Sequence, residues 1–299
     1  ACGCHHRGRW GILNSPMPGT LYIVATPIGN LEDITLRALR ILREVDLIAC
    51  EDTRQTLKLL RHYGIRRPLL SYHEHNQRKR AEELIARLKE GRSVALVSDA
   101  GTPLLSDPGE VLLERAIAEG IPVVPIPGPS AVTTAAMAAG LPVDRFLFVG
   151  FLPARRGPRR VELERLKTIP YTLIFFEAPH RLAETLADMR EILGARPAVL
   201  ARELTKVHET FERATLAELA ERVAEAPVKG EIVLLVAGAE VARPTEVDAT
   251  TLAERVKAVM SATGLDAKTA TRCVAEEYGV SRQAVYRAYL SHREEASDA

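Results

Sequence analysis

At 299 residues the chain is too long for one ordinary domain and long enough for two or three. Its 46% apolar content supports a packed core and excludes a disordered chain. A formal net charge of +1 decides nothing about nucleic acid, but the charge is uneven: from Arg54 to Arg92 there are 11 Lys and Arg against 4 Asp and Glu, with three His. Such a run is either a solvated helix face or a surface for an acidic partner.

In chain order, residues 1–19 read as a disordered leader. Cys2-Gly3-Cys4-His5-His6 has the residue types of a metal cluster but no second ligand pair at zinc spacing, so no metal is expected. Met17, just before the first strand, points to a start codon set too early. The leader lacks the apolar core of a signal peptide. With Cys50 and Cys273 the four cysteines are scattered, which implies no disulfide framework and fits a reducing, cytoplasmic compartment.

The run LYIVA at 21–25 is continuous and apolar, as in a buried parallel strand. It ends in Thr26-Pro27-Ile28-Gly29-Asn30, and Asn30 is placed to cap a helix carrying Ile34, Ala38, Ile41, Leu42 and Val45 on one face. Strands at 47–50, 69–72, 94–97 and 121–126 follow, alternating with helices at about 55–63, around 84–88, at 111–118 and at 131–139. This alternation predicts a parallel or mostly parallel sheet. The Ala-rich stretch at 131–141 is too short to span a membrane and is closed by Pro142, and no membrane partner is expected.

A second unit begins with a strand at 146–151. Arg155-Arg156-Gly157-Pro158-Arg159-Arg160 then carries four arginines and no acid, and reads as an exposed, flexible loop or as a phosphate contact. Strands at 171–176, 198–201, 210–213 and 232–237, with helices ending at Leu193 and Ala224, suggest a mixed sheet. Arg243-Pro244-Thr245 reads as a linker. From Thr251 the pattern is helical, and 267–290 resembles a helix-turn-helix: two helices joined at Gly279 with a Ser281 cap. The second shows Arg282, Gln283, Tyr286 and Arg287, and nucleic-acid contact and mere packing both stay open.

The chemistry should lie in the loops at the strand ends, where open α/β sheets bind ligands. No Gly-x-Gly-x-x-Gly, Walker loop or Gly-x-Ser-x-Gly is present. Backbone N–H groups after Gly101 and near Ser130 could hold a carboxylate or ribose, and Asp99 could accept from an amine or hydroxyl. Ser98 to Pro103 follows a buried strand directly and is read as functional. Asp107-Pro108-Gly109 is read as an ordinary turn.

These loops carry nine motifs in order: Ala25-Thr26-Pro27-Ile28-Gly29-Asn30-Leu31, Glu51-Asp52-Thr53-Arg54, His73-Glu74-His75-Asn76, Ser98-Asp99-Ala100-Gly101-Thr102-Pro103, Ser106-Asp107-Pro108-Gly109, Pro127-Gly128-Pro129-Ser130, Phe175-Phe176-Glu177-Ala178-Pro179-His180-Arg181, Ala201-Arg202-Glu203-Leu204-Thr205-Lys206 and Lys229-Gly230-Glu231. Together they resemble the ribosomal RNA small subunit methyltransferase I family, within the tetrapyrrole methylase superfamily. The leader alone departs from the pattern.

The resemblance implies an α/β, two-domain fold: a mostly parallel N-terminal domain at 20–143, a mixed-sheet domain at 144–240 that completes the cofactor cleft, and a small helical, helix-turn-helix-like domain at 248–293. It implies S-adenosylmethionine as cofactor, bound by Pro27, Asp99, Gly101, Thr102, Pro103, Leu104, Leu105, Ser130, Ala131, Phe176 and Glu177. The implied reaction is methylation of a cytidine ribose 2′-hydroxyl in 16S ribosomal RNA of the small subunit, near the decoding centre. A homodimer is also implied, with the helix at 131–141 as one contact face, although that helix could instead pack on the sheet.

In-line transfer needs alignment of sulfur, methyl and oxygen. A base for the hydroxyl proton would contribute roughly a hundred-fold or more. Candidates are Glu177, His180, Glu203 and Lys206, each of which could instead be in a structural ion pair. RNA is expected over Asn30, Arg54, His73, His75, Asn76, Arg155, Arg156, Arg159 and Arg160. Two rivals stand beside this reading: a methylase of a tetrapyrrole or other small molecule, and a non-catalytic RNA-binding assembly protein.

Overall fold

The computed structural model describes residues 18–240 and 247–295. The leader with Cys2 and Cys4, and the linker at Arg243-Pro244-Thr245, lie outside the described residues. Two sheets share one compact unit that ends at Ala239, and three helices form a second unit after Glu240.

The first sheet holds β1 (Leu21–Val24), β2 (Leu47–Cys50), β3 (Leu69–Ser71), β4 (Val94–Val97) and β5 (Val123–Ile126) in the order β3-β2-β4-β1-β5, every pair parallel. β2 and β4 are buried at every position, which is why they read as unbroken apolar runs. α1 (Leu36–Glu44) and α2 (Thr53–His62) cover one face; α3 (Gln77–Lys89) and α4 (Glu110–Ala118) cover the other. The stripe Ile34, Ala38, Ile41, Leu42 and Val45 is buried as its spacing predicts. Its cap differs. Asn30 caps a 3-10 turn at Leu31–Asp33, accepting from the Glu32 N–H, and the extended backbone of Ile34 ends that turn. Thr35 caps α1, accepting from the Ala38 N–H at 3.1 Å.

The second sheet holds β6 (Phe146–Phe151), β7 (Thr172–Glu177), β8 (Pro197–Arg202), β9 (Thr210–Thr215) and β10 (Ile232–Val236) in the order β6-β7-β10-β8-β9. Only β6 and β7 run parallel, so the sheet is mixed. α6 (Arg156–Leu166), α7 (Leu182–Leu193) and α8 (Leu216–Glu225) cover one face. The other face is covered by α5 (Ala131–Ala139), which follows β5 of the first sheet. Val132, Ala135, Ala136 and Ala139 pack against Ile174, Val199, Val233 and Leu235. The apolar face of this helix, a possible dimer contact by sequence, is thus covered within the chain, and its small residues let the two sheets approach.

The arginine stretch expected as a flexible loop is the start of α6. Pro158 is the third helical residue, where the backbone N–H would have no partner in any case, so the proline does not break the helix.

The second unit comprises α9 (Ala249–Thr263), α10 (Ala267–Tyr278) and α11 (Arg282–Glu295). Its core is Leu252, Val256, Ala270, Val274, Val285, Ala288 and Tyr289. Gly279, with φ +63°, makes the left-handed turn between α10 and α11. No helix among the described residues is long and apolar enough to cross a membrane.

Candidate functional site

The order of the first sheet places β1 between β4 and β5, so the chain crosses from one side of β1 to the other after β4. This is a topological switch point, and three loops meet at its carboxyl edge. Thr26 and Gly101 exchange backbone hydrogen bonds of 2.9 and 3.0 Å. The Thr26 hydroxyl donates to the Ser98 carbonyl and the Ser98 hydroxyl to the Gly101 carbonyl, both at 3.0 Å. The Thr102 hydroxyl donates to the Pro129 carbonyl at 3.0 Å. Gly101 has φ +82°, and a Cβ there would sit 3.1 Å from Ile28.

A cavity of about 400 Å³ opens above these loops, within the range of small-molecule sites. Ile28, Gly101, Thr102, Leu105, Ser130 and Ala131 form one wall; Phe151, Phe176 and Glu177 to Pro179 form the other, with Leu204 and Gly230 to Val233 between them. Phe176 packs edge-on against Phe148 and Phe151, at 5.0 and 5.6 Å between ring centres. Of the expected cofactor residues, Gly101, Thr102, Leu105, Ser130, Ala131, Phe176 and Glu177 line this space. Pro27, Asp99, Pro103 and Leu104 do not. Ile28 stands where Pro27 was expected, Leu104 packs into the core under α3 and α4, and Pro103 is buried. Asp99 accepts from the Asp52 N–H at 2.9 Å.

Three of the expected bases are engaged elsewhere, and the fourth lies outside the cavity. Glu177 is 4% exposed; it accepts from the Thr185 hydroxyl at 2.6 Å and the Ala178 N–H at 2.8 Å, with Arg181 at 3.4 Å. Lys206 lies 2.9 Å from Glu203 and 3.1 Å from Glu231. Burial works to lower the Lys206 pKa, but the two carboxylates outweigh it and raise it, so this amine holds its proton. The Glu231 N–H and then Lys206 hold the Glu203 carboxyl below its ordinary range. His180 is exposed and does not line the cavity.

Asp107, read from sequence as an ordinary turn, does line the cavity. Burial, with help from Glu51 and Asp99, pushes its carboxyl up to about 6. The sequence signals were its place just after the Ser98 to Pro103 loop and its membership of the Ser106-Asp107-Pro108-Gly109 motif.

Residues 20–220 match the family described as Tetrapyrrole (Corrin/Porphyrin) Methylases. The chain is 51% identical over 274 residues to the Ribosomal RNA small subunit methyltransferase I of Halalkalibacterium halodurans, covering 91% of this chain and 94% of that one. It is 49% identical to the protein of that name from Escherichia coli O157:H7, covering 92% and 96%. The chain belongs to the ribosomal RNA small subunit methyltransferase I family. Two solved structures share its fold. One is a diphthine synthase, with TM-score 0.58 and 18% identity, covering 74% of this chain and 90% of that one. The other is the uroporphyrin-III C-methyl transferase of Thermus thermophilus complexed with S-adenosyl homocysteine, with TM-score 0.53 and 21% identity, covering 73% and 97%.

In this member of the ribosomal RNA small subunit methyltransferase I family the residues expected to meet RNA divide. Asn30, Arg54 and His75 are exposed on loops or helix starts after β1, β2 and β3. Asn76 is structural: its side chain accepts from the His73 N–H and donates to the Ser71 carbonyl, folding the loop that holds His73. Arg159 is a correction. Its side chain is 1% exposed and lies 2.8 Å from Asp188, itself 2% exposed, so it is unavailable to a phosphate. Arg156 and Arg160 also reach Asp188, at 3.2 and 3.1 Å, and Arg160 pairs with Glu191. Of the four arginines Arg155 alone makes no ion pair among the described residues.

Proposed function

We propose that the protein transfers a methyl group from S-adenosylmethionine to the ribose 2′-hydroxyl of a cytidine in small-subunit ribosomal RNA, near the decoding centre. The observation that carries this is the cavity at the switch point, walled by Gly101, Thr102, Ser130 and Ala131 on one side and by Phe176 on the other, in a chain half identical to relatives with that name.

The residues suit such a cofactor. The α5 N-cap, Ser130, makes no side-chain bond to the first turn, which leaves uncapped N–H groups at a helix start that lines the cavity beside the small side chain of Ala131. Gly101 keeps the neighbouring backbone of the same wall close, and Phe176 offers an apolar surface across from it. When bound, the cofactor supplies an electrophilic methyl on a sulfonium. The chain aligns that methyl with the acceptor oxygen and keeps water out.

RNA approaches over Arg54, His75 and Arg155, with His73 beside His75 and, at the start of α6, Arg156 exposed and Arg160 partly so. A cytoplasmic setting agrees with ribosomal RNA as substrate and with Cys50 and Cys273 as free thiols. A homodimer belongs to the same reading: Phe146, Leu147 and Phe151 are exposed on β6, the edge of its sheet, and a second copy would cover them. Light scattering should then give twice the mass of one chain.

The deciding experiment incubates the protein with radiolabelled S-adenosylmethionine and purified small subunits, free ribosomal RNA, or porphyrin precursors. Label in RNA, mapped to a cytidine ribose, is the expected result. Label only in the porphyrin precursors would replace the reading with small-molecule methylation, and label in none with a non-catalytic role.

A further inference from the structure

Taking the proposed methyl transfer as its basis, we infer that Asp107 is the general base that accepts the proton of the acceptor hydroxyl. Three carboxylates line the cavity: Asp107, Glu177 and Glu231. Glu177 is held by Thr185, Ala178 and Arg181, and Glu231 lies against Lys206. Asp107 alone has no cation within ion-pair distance among the described residues. Among the described residues it is the one cavity carboxylate with no fixed positive charge beside it.

The loop around it is built for that placement. Leu104 and Ser106 adopt φ of +76° and +66°, a left-handed backbone that costs non-glycine residues energy and persists only where the surroundings enforce it. Leu104 is anchored in the core. Ser106 lies against Gly150 of β6, where a Cβ would come within 3.0 Å of its hydroxyl. Both halves of the unit therefore fix the loop that presents Asp107.

The groups facing Asp107 are all acidic or neutral. Glu51 follows β2, Asp99 follows β4, and Glu177 and Glu231 lie across the cavity, while a bond from Ser98 offsets part of the upward shift. A base is most effective when its pKa is near the working pH, and about 6 meets that condition. In the step, the hydroxyl O–H bond breaks and its proton passes to an Asp107 carboxylate oxygen. The freed electron pair forms the O–C bond to the methyl, and the C–S pair stays on sulfur, which becomes a neutral thioether. Asp107 then releases its proton to water.

The test compares wild type with Asp107→Asn and Asp107→Glu on the RNA substrate. Asp107→Asn should lower kcat about a hundred-fold or more, with KM for RNA and calorimetric affinity for S-adenosylhomocysteine within about threefold of wild type. The acid limb of log kcat near pH 6 should vanish in Asp107→Asn and persist in Asp107→Glu, which should be at least tenfold faster than the amide. A readout independent of turnover is thermal unfolding. The wild-type carboxyl is charged against its surroundings at pH 8, so Asp107→Asn should melt higher there and gain much less at pH 4.5. Asp107→Asn keeping more than a third of wild-type kcat, equal rates for the two variants, or a melting difference independent of pH would overturn the assignment and leave the methyl-transfer reading intact. Absence of label with wild type would overturn both.

Discussion

Thr26 and Gly101 pair through both of their backbone hydrogen bonds across the carboxyl ends of β1 and β4, at 2.9 and 3.0 Å. This bridge lets the Gly101 backbone turn at φ +82° directly under the cavity, with Ile28 filling the space a side chain would need. Gly101→Ala would force an L residue into the left-handed region, at a cost of roughly 1–2 kcal/mol, and would push Ile28 into the cavity. The expected outcome is a melting temperature lower by a few degrees and at least a tenfold loss of S-adenosylhomocysteine affinity by calorimetry. Unchanged affinity would show that this loop does not shape the binding surface.

Asp188 gathers Arg156, Arg159 and Arg160, and Arg159 is as buried as the carboxylate it meets. Removing one partner of a buried pair leaves an uncompensated charge and typically costs about 3–5 kcal/mol. Arg159→Ala should fall near the lower end, because two arginines remain on Asp188. Burial tends to raise the Asp188 carboxyl, but the arginines outweigh it and hold it below its ordinary value. A carboxyl depressed on folding contributes stability above its unfolded pKa, near 4, and loses it as pH falls through the folded value. Acid unfolding of wild type should therefore steepen below about pH 4, and Asp188→Asn should flatten that limb. Denaturant melts at pH 3, 4 and 7 check both points.

The sheets were legible because burial leaves a local record. β2 and β4 are covered on both faces, so LIAC and VALV carry no polar residue. The gathering of Gly101 and Ser130 around one cavity matches the loops singled out from strand ends, whereas Phe176 came from the family resemblance and Asp99, also singled out, does not line the cavity. What the sequence hid depended on distant partners. Arg159 reads as one of four free cations, because Asp188 lies 29 residues on, in the middle of another helix. Asp107 reads as a turn, because its loop meets Gly150 through Ser106 and shares a cavity with Phe151, both on the second sheet and more than 40 residues on. Lys206 reads as a candidate base until Glu231, 25 residues on, is brought against it.

The phosphate surface should be visible in salt dependence. Arg54 has a side chain 87% exposed, and its contact with Asp52 holds that carboxyl at about 2. Each phosphate contact removed should reduce the slope of log K against log salt by about 1. Arg54→Ala and Arg155→Ala should each produce that change in fluorescence anisotropy between 50 and 200 mM salt, concentrations where such contacts are resolved. Arg159→Met, which alters a buried side chain, should leave the slope alone. An equal change with Arg159→Met would restore that residue to the RNA surface.

The strap from Glu203 to Lys206 gives the last discrimination. A Cβ on Gly29 would lie 2.5 Å from the Lys206 Cγ and 3.0 Å from the Leu204 carbonyl, so the strap rests directly on the loop after β1. Lys206 ties it down through Glu203 and Glu231. The raised Lys206 pKa contributes stability that is complete below the unfolded value near 10.4 and is lost as pH rises through the folded value. The depressed Glu203 pKa contributes stability above about 4.3 that is lost as pH falls. The fastening is therefore intact across neutral pH, and Lys206 acts by position and not as a base. Lys206→Met should weaken S-adenosylhomocysteine binding severalfold, through displacement of Leu204 at the cavity, while kcat at saturation falls less than tenfold and its pH limb near 6 stays. Gly29→Ala should reproduce the affinity loss with Lys206 present. A hundred-fold loss of kcat in Lys206→Met with unaltered affinity would instead make Lys206 the base.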